Sequence, residues 1–139
     1  MKNLKSFKSL IPIYDFFLFD QWGVLHNGHS KFEDAENCLR ILKKNKKKII
    51  LISNSSRPTE DSISNLTKLG FDGYLYDYCI TSGQIAINNI EKDIYSKYGK
   101  TCYPLKMSND KIKSFKLKCT KEIKNADFVM IADLDVNLS

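Results

Sequence analysis

The sequence predicts an α/β fold built on a parallel sheet, and three observations predict it. Phe16-Phe17-Leu18-Phe19 is an unbroken apolar run ending in Asp20, and Ile49-Ile50-Leu51-Ile52 is a second one ending in Ser53. Runs apolar on both faces suit strands that are covered above and below by helices. Between and after these runs, apolar residues recur at helical spacing, so strand and helix patterns alternate along the chain. The 139 residues suffice for one ordinary domain and are too few for two complete ones.

Each element has its own signal. Residues 1–14 read as a short lead-in with one or two helical turns, packed by Leu4, Phe7, Leu10 and Ile11. The strand Phe16–Asp20 runs into a polar loop, Gln21 to Ser30, which holds both histidines, His26 and His29. Two histidines three apart, with no third ligand at defined spacing, read as loop residues bonded to backbone rather than as metal ligands. Ser30 and Glu33 have the spacing of a capping box, and Phe32, Ala35, Cys38, Leu39 and Leu42 mark the face of the following helix. The run Lys43-Lys44-Asn45-Lys46-Lys47-Lys48 reads as a solvated helix end, where positive charge complements the dipole.

After the strand Ile49–Ser53, Pro58 opens a helix with Ile63, Leu66 and Leu69 on its face, and Gly70 ends it. Tyr78–Thr81 is a third, shorter strand. Ser82 caps a helix expected to turn Ile85, Ala86, Ile90, Ile94 and Tyr98 inward, closed by Gly99. Thr101–Leu105 reads as a strand, Ser108–Lys118 as a poor helix or loop, and Asp127–Ile131 as a final strand.

Composition narrows the functional classes. Hydrophobic content of 42% with 27% charged residues excludes a disordered chain. The net charge of +6 raises the question of nucleic acid, but it is almost all lysine, since Arg40 and Arg57 are the only arginines. Phosphate and base recognition favours the fixed fork of arginine, so no nucleic-acid partner is expected. Cys38, Cys79, Cys102 and Cys119 are widely spaced and read as reduced thiols of a cytoplasmic protein. No apolar run approaches the ~20 residues of a membrane span, so no membrane partner is expected.

The chemistry gathers at two strand ends. A right-handed β-α-β crossover would bring Asp20 and Ser53 to one sheet edge, where open α/β sheets place their ligands. For Asp20 alone, a strand end followed by a turn at Gly23 is an equally good account. Ser53-Asn54-Ser55-Ser56-Arg57 precedes a helix N-terminus, whose free N–H groups favour an anion, though such turns are common. A carboxylate beside a hydroxyl that can hold a phosphoryl oxygen is an arrangement for phosphoryl transfer through an aspartyl-phosphate. Neither glycine-rich nucleotide motif is present.

At these residues the chain resembles the haloacid dehalogenase-like (HAD) superfamily. It looks most like its class IIA group of p-nitrophenyl phosphatase-like and nucleotide or phosphoglycolate phosphatase-like enzymes. Four stretches carry the resemblance: Tyr14-Asp15 with Phe17 through Gly28, Leu51 through Pro58, Thr81-Ser82-Gly83, and Asn125 through Val129. The resemblance implies a Rossmann-like parallel-sheet core whose N-terminal portion occupies residues 1–82. Residues 83–139 would then be the first part of an α/β cap. It further implies a phosphatase of a small phosphorylated metabolite. Asp20 would be nucleophile and Mg²⁺ ligand, the Trp22 backbone carbonyl a second ligand, and Ser53 with the Asn54 N–H the phosphate holders.

Two departures from the family pattern matter. Trp22 stands where the family usually has a second Asp acting as general acid and base, a contribution worth roughly 10²–10⁴-fold. An Asp-x-Trp-Gly-Val subgroup looks similar. The chain also ends where the family continues to a lysine and further metal carboxylates, so a truncated, inactive chain is expected. Asp133 and Asp135 are read as surface residues. Truncation would leave Phe16–Phe19 with an unpaired apolar edge that seeks a partner, so homo-oligomerisation stays open. The alternative function is a non-catalytic phosphate-binding or regulatory module, and a basic nucleic-acid binder would rest on Lys43–Lys48 alone.

Overall fold

The computed structural model describes residues 6–132. Leu4, Asp133 and Asp135 lie outside the described residues. The chain divides into two compact units, one built from the chain up to Asn54 with Thr59–Thr81, the other from Ser55–Pro58 and the chain from Ser82 onward.

In the first unit, a 3-10 turn at Phe7–Leu10 precedes β1 (Phe16–Asp20), α1 (Ala35–Lys44), β2 (Lys48–Ser53), α2 (Thr59–Lys68) and β3 (Tyr78–Thr81). The three strands form a parallel sheet in the order β1-β2-β3, so the α/β architecture expected from the apolar runs is present. Phe17 opposes Ile49 and Phe19 opposes Leu51. These side chains share one face with Leu39 and Leu42 of α1, Leu66 of α2, and the buried Leu25, Phe71 and Leu75. Truncating a leucine as fully enclosed as Leu39 or Leu42 costs about 2–5 kcal/mol.

The opposite face differs from the expectation of a sheet covered on both sides. Phe16 is 66% exposed, Leu18 61% and Ile80 41%. Strand alternation puts these residues, with Ile52 and Tyr78, on the face away from the leucine core. Parallel sheets normally have helices on both faces, but here α1 and α2 contribute buried residues to one cluster only. Among the described residues β1 pairs on one side only, with β2, so its other edge is open.

Two local expectations are corrected. Ser30 and Glu33 do not cap α1. Asn27 Oδ1 instead accepts the N–H groups of His29 (3.0 Å) and Ser30 (2.8 Å), so turn chemistry takes Ser30 and the helix starts at Ala35. The lysine run is also less solvated than expected. Lys43 and Lys48 both reach Asp77 at 3.0 Å, and Lys47 reaches Asp15 at 2.8 Å. Asp77 also accepts the Ile49 N–H at 2.8 Å, which with the two ammonium groups holds its carboxyl down to about 2.

In the second unit, α3 (Ser82–Asn89) continues through a π-helical segment, Ile90–Tyr95, into the single turn α4 (Ser96–Tyr98). Then follow β4 (Thr101–Pro104), α5 (Asn109–Ser114), β5 (Lys118–Cys119) and β6 (Phe128–Met130), the strands pairing in parallel in the order β5-β4-β6. Its buried residues include Ile90, Cys102 and Phe115. Ile85 and Tyr98, expected inward, are 51% and 63% exposed. For Tyr98 the reason is phase: the wider π turn breaks the 3.6-residue register that placed it on the face of Ile90. No described helix is long and apolar enough to cross a membrane, and all four cysteines are free thiols.

Candidate active site

Asp20, Ser53 and Thr81 are the last residues of β1, β2 and β3, so the parallel sheet brings them to its carboxyl edge. Asp20 opposes Ile52, and Ser53 opposes Thr81. Asp20 therefore lies level with the residue before Ser53 on the neighbouring strand, roughly 4.8 Å across. Thr59 Oγ1, at the start of α2, is 3.5 Å from Thr81 Oγ1. The edge thus gathers one exposed carboxylate and several hydroxyls.

The residues after Asp20 lock its orientation. Asp20 Oδ1 accepts the Gln21 N–H at 2.8 Å. The Gln21 carbonyl accepts the N–H groups of Leu25 (2.8 Å), Val24 (3.3 Å) and His26 (3.3 Å). Gly23, at φ +77°, donates to the His26 carbonyl at 2.8 Å. The Gln21 side chain is buried: Oε1 accepts from Ser62 Oγ at 2.8 Å, and Nε2 donates to Cys79 Sγ at 3.3 Å. This polar link between the loop, α2 and β3 had no sequence signal, because a glutamine after a strand reads as a surface residue.

Trp22 is 65% exposed, and its indole lies over Gly28. A Cβ on Gly28 would come within 2.4 Å of Trp22 Cζ3, and Gly28 sits at φ +91°, so only glycine fits there. The Trp22 ring also meets His26 edge-on, with centroids 6.0 Å apart. His26 is buried, and its Nδ1 accepts the Gly28 N–H at 3.0 Å, in line with its reading as a backbone-bonded loop residue. Burial lowers its pKa from the ordinary 6.5, against the pull of Asp20's charge. Its neutral form therefore carries the ring proton on Nε2.

Hard oxygen donors suit Mg²⁺, which is commonly held by one or two carboxylates, waters and the substrate's phosphate. The Asp20 carboxylate and the Trp22 carbonyl fit part of such a set. Among the described residues no group of three or more His, Cys, Asp or Glu could hold a metal ion together.

The protein is an α/β protein with a carboxylate and hydroxyls on the carboxyl edge of a parallel sheet, the edge where open α/β sheets place their ligands. Residues 17–117 match the haloacid dehalogenase-like hydrolase family, and the chain belongs to that family. No curated protein matches it significantly. Among solved structures it is similar to a haloacid dehalogenase-like family hydrolase from Brucella suis 1330. That match has 26% identity and a TM-score of 0.74 over 88% of this chain and 44% of that one. A glycerol phosphate phosphatase from Mycobacterium tuberculosis in complex with calcium matches at 17% identity and TM-score 0.61, over 94% and 38% of the two chains. A 4-nitrophenylphosphatase from Thermotoga maritima matches at 22% and 0.62, over 86% and 45%. The last two likenesses speak to the fold. The chain spans less than half the length of each of these proteins.

Proposed function

We propose that the chain is the N-terminal portion of a class IIA phosphatase of the Asp-x-Trp-Gly-Val kind, cytoplasmic, acting on a small phosphate ester. Residues 1–82 belong to the catalytic core and residues 83–139 to the first part of the cap. The observation that supports this reading is Asp20 at the carboxyl edge, level with Ile52, the residue before Ser53. An Asp20 oxygen attacks phosphorus, the ester P–O bond breaks, and the alkoxide leaves with the bonding pair and takes a proton from water. Water then attacks the phosphorus of the aspartyl-phosphate, the bond from phosphorus to the Asp20 oxygen breaks, and inorganic phosphate and the free carboxylate are released, the water's proton passing to solvent. Ser53 Oγ and the Asn54 N–H hold the phosphoryl oxygens. Asp20 and the Trp22 carbonyl would hold Mg²⁺, which when bound supplies neutralisation of phosphoryl charge.

The exposure of Phe16, Leu18 and Ile80, and an edge of β1 that pairs with no strand among the described residues, support the view that further polypeptide completes this core. Trp22 favours a second reading, a phosphate-binding module that lacks proton transfer, because an indole cannot serve as general acid. Incubation of a protein carrying this core complete with acetyl phosphate and Mg²⁺ separates the two. The enzymatic reading expects a phosphoryl adduct on Asp20 by mass spectrometry, absent in Asp20→Asn. Phosphate binding with no adduct on that complete protein would leave the second reading standing and sink the first.

A further inference from the structure

The segment that follows Ser53 and Asn54 is held inside the second unit. Residues Ser55–Pro58 belong to that unit, although Asn54 before them and Thr59 after them belong to the first. Gly83 approaches the segment so closely that a Cβ there would lie 2.2 Å from the Ser56 carbonyl oxygen, and its N–H donates to the Ser55 carbonyl at 2.9 Å. Lys111 of α5 also holds the segment. Its ammonium donates to Ser56 Oγ at 2.7 Å and to the Ala132 carbonyl at 3.2 Å. The Lys111 backbone is itself fixed, since its N–H donates to the Ser108 side chain that caps α5.

We propose that Lys111 is a positioning residue for the phosphate-binding turn: by holding Ser56 it sets the path of Ser55–Pro58, and with it the direction of the adjoining Asn54 N–H. The proposal rests on the phosphate reading of Ser53 and Asn54. A turn pinned at its far end presents its N–H groups in one orientation and loses less entropy when an anion arrives. Lys111 acts through Ser56 and makes no contact with substrate in this scheme.

Amide exchange and phosphate titration of the whole chain test it. The Arg57 N–H donates to Ser55 Oγ at 3.2 Å and the Gly83 N–H to the Ser55 carbonyl, so both amides report on the segment. The Leu105 N–H, bonded to the Met130 carbonyl, reports on the second sheet. Lys111→Met and Ser56→Ala are each expected to speed exchange at Arg57 and Gly83 by about tenfold, with Leu105 unchanged and Lys111→Arg close to wild type. Inorganic phosphate with Mg²⁺ is expected to bind about fivefold more weakly to Lys111→Met, with little added loss in the double variant because the two groups act as one.

Unchanged exchange at Arg57 and Gly83, or equal acceleration at Leu105, overturns the positioning role. Faster exchange with unaltered phosphate affinity, while Ser53→Ala weakens binding, overturns the link between Lys111 and the anion. A wild-type chain that binds no phosphate but shows the expected exchange pattern overturns the phosphate reading alone and upholds the hold of Lys111 on the segment.

Discussion

Ser62 Oγ donates to Gln21 Oε1 at 2.8 Å inside the core, tying α2 to the residue that follows Asp20. Ser62→Ala would leave that oxygen buried with one partner fewer, at a cost of about 1–3 kcal/mol. Gln21→Met combined with Ser62→Ala is expected to cost less than the sum of the two single changes, because no polar atom is then stranded. Urea unfolding of the three variants measures this, and strict additivity would contradict it.

Asp77 makes stability depend on acid. Its carboxyl is lowered from the ordinary 3.8 to about 2, first by the Ile49 N–H and then by Lys43 and Lys48. The folded form keeps the charge to lower pH than the unfolded chain does, so the stabilisation is complete above 3.8 and is lost as pH falls toward 2. Asp77→Asn should cost about 2 kcal/mol at neutral pH and flatten the curve in that window. His26, lowered by burial, adds a gentler loss beginning below 6.5 that disappears in His26→Gln. Stability followed across pH by denaturant midpoint checks both.

The parallel core was legible in residues 16–20, 49–53 and 78–81 because unbroken apolar runs admit few other structures. Asp20 and Ser53 were legible for the same reason, each being the first polar residue after its run. What escaped depends on competition or distance. Ser30 and Glu33 have capping spacing, but Asn27 reaches Ser30 first. Lys43, Lys47 and Lys48 looked solvated because their partners Asp77 and Asp15 lie about thirty positions away. Exposure of Phe16 and Leu18 runs against their composition, which gave no sign that one face lacks a cover.

Gly28→Ala tests the close approach of Trp22. The added methyl meets both the indole and a positive φ, so a loss of about 1–3 kcal/mol and a shift in tryptophan emission are expected. In a Trp22→Ala background only the backbone strain remains, so the loss should fall by about half. An equal loss in both backgrounds would mean that the indole yields freely.

Trp22 also sets a leaving-group dependence in the proposed enzyme. Aryl phosphates depart without a proton, whereas alkyl phosphates need one as the bond breaks. In a protein carrying this core complete, Trp22→Asp should speed alkyl phosphate hydrolysis more than aryl phosphate hydrolysis. Rates for glycerol phosphate and p-nitrophenyl phosphate, compared between the two forms, decide it. Equal gains, or none, would assign proton transfer elsewhere.

The lysine run is expected to be silent toward nucleic acid. Three of its five lysines are held by carboxylates of the protein, Lys43 and Lys48 by Asp77 and Lys47 by Asp15, and no aromatic residue is interleaved for bases to stack on. Binding to single-stranded nucleic acid should be no tighter than ~10⁻⁶ M at physiological salt. A tighter, salt-sensitive complex lost on Lys46→Glu would refute this.

The four residues Ser55–Pro58 give the chain an ancestry problem. Because they sit with the second unit while their flanks sit with the first, the boundary is crossed at three peptide bonds. A recombination breakpoint after Thr81 would deliver Gly83 and Lys111 to a new host without Ser55 and Ser56. It would leave behind a loop shaped for partners that had gone. The two units can therefore not be exchanged as separate cassettes, and a viable hybrid must inherit the loop and its clasp from one parent.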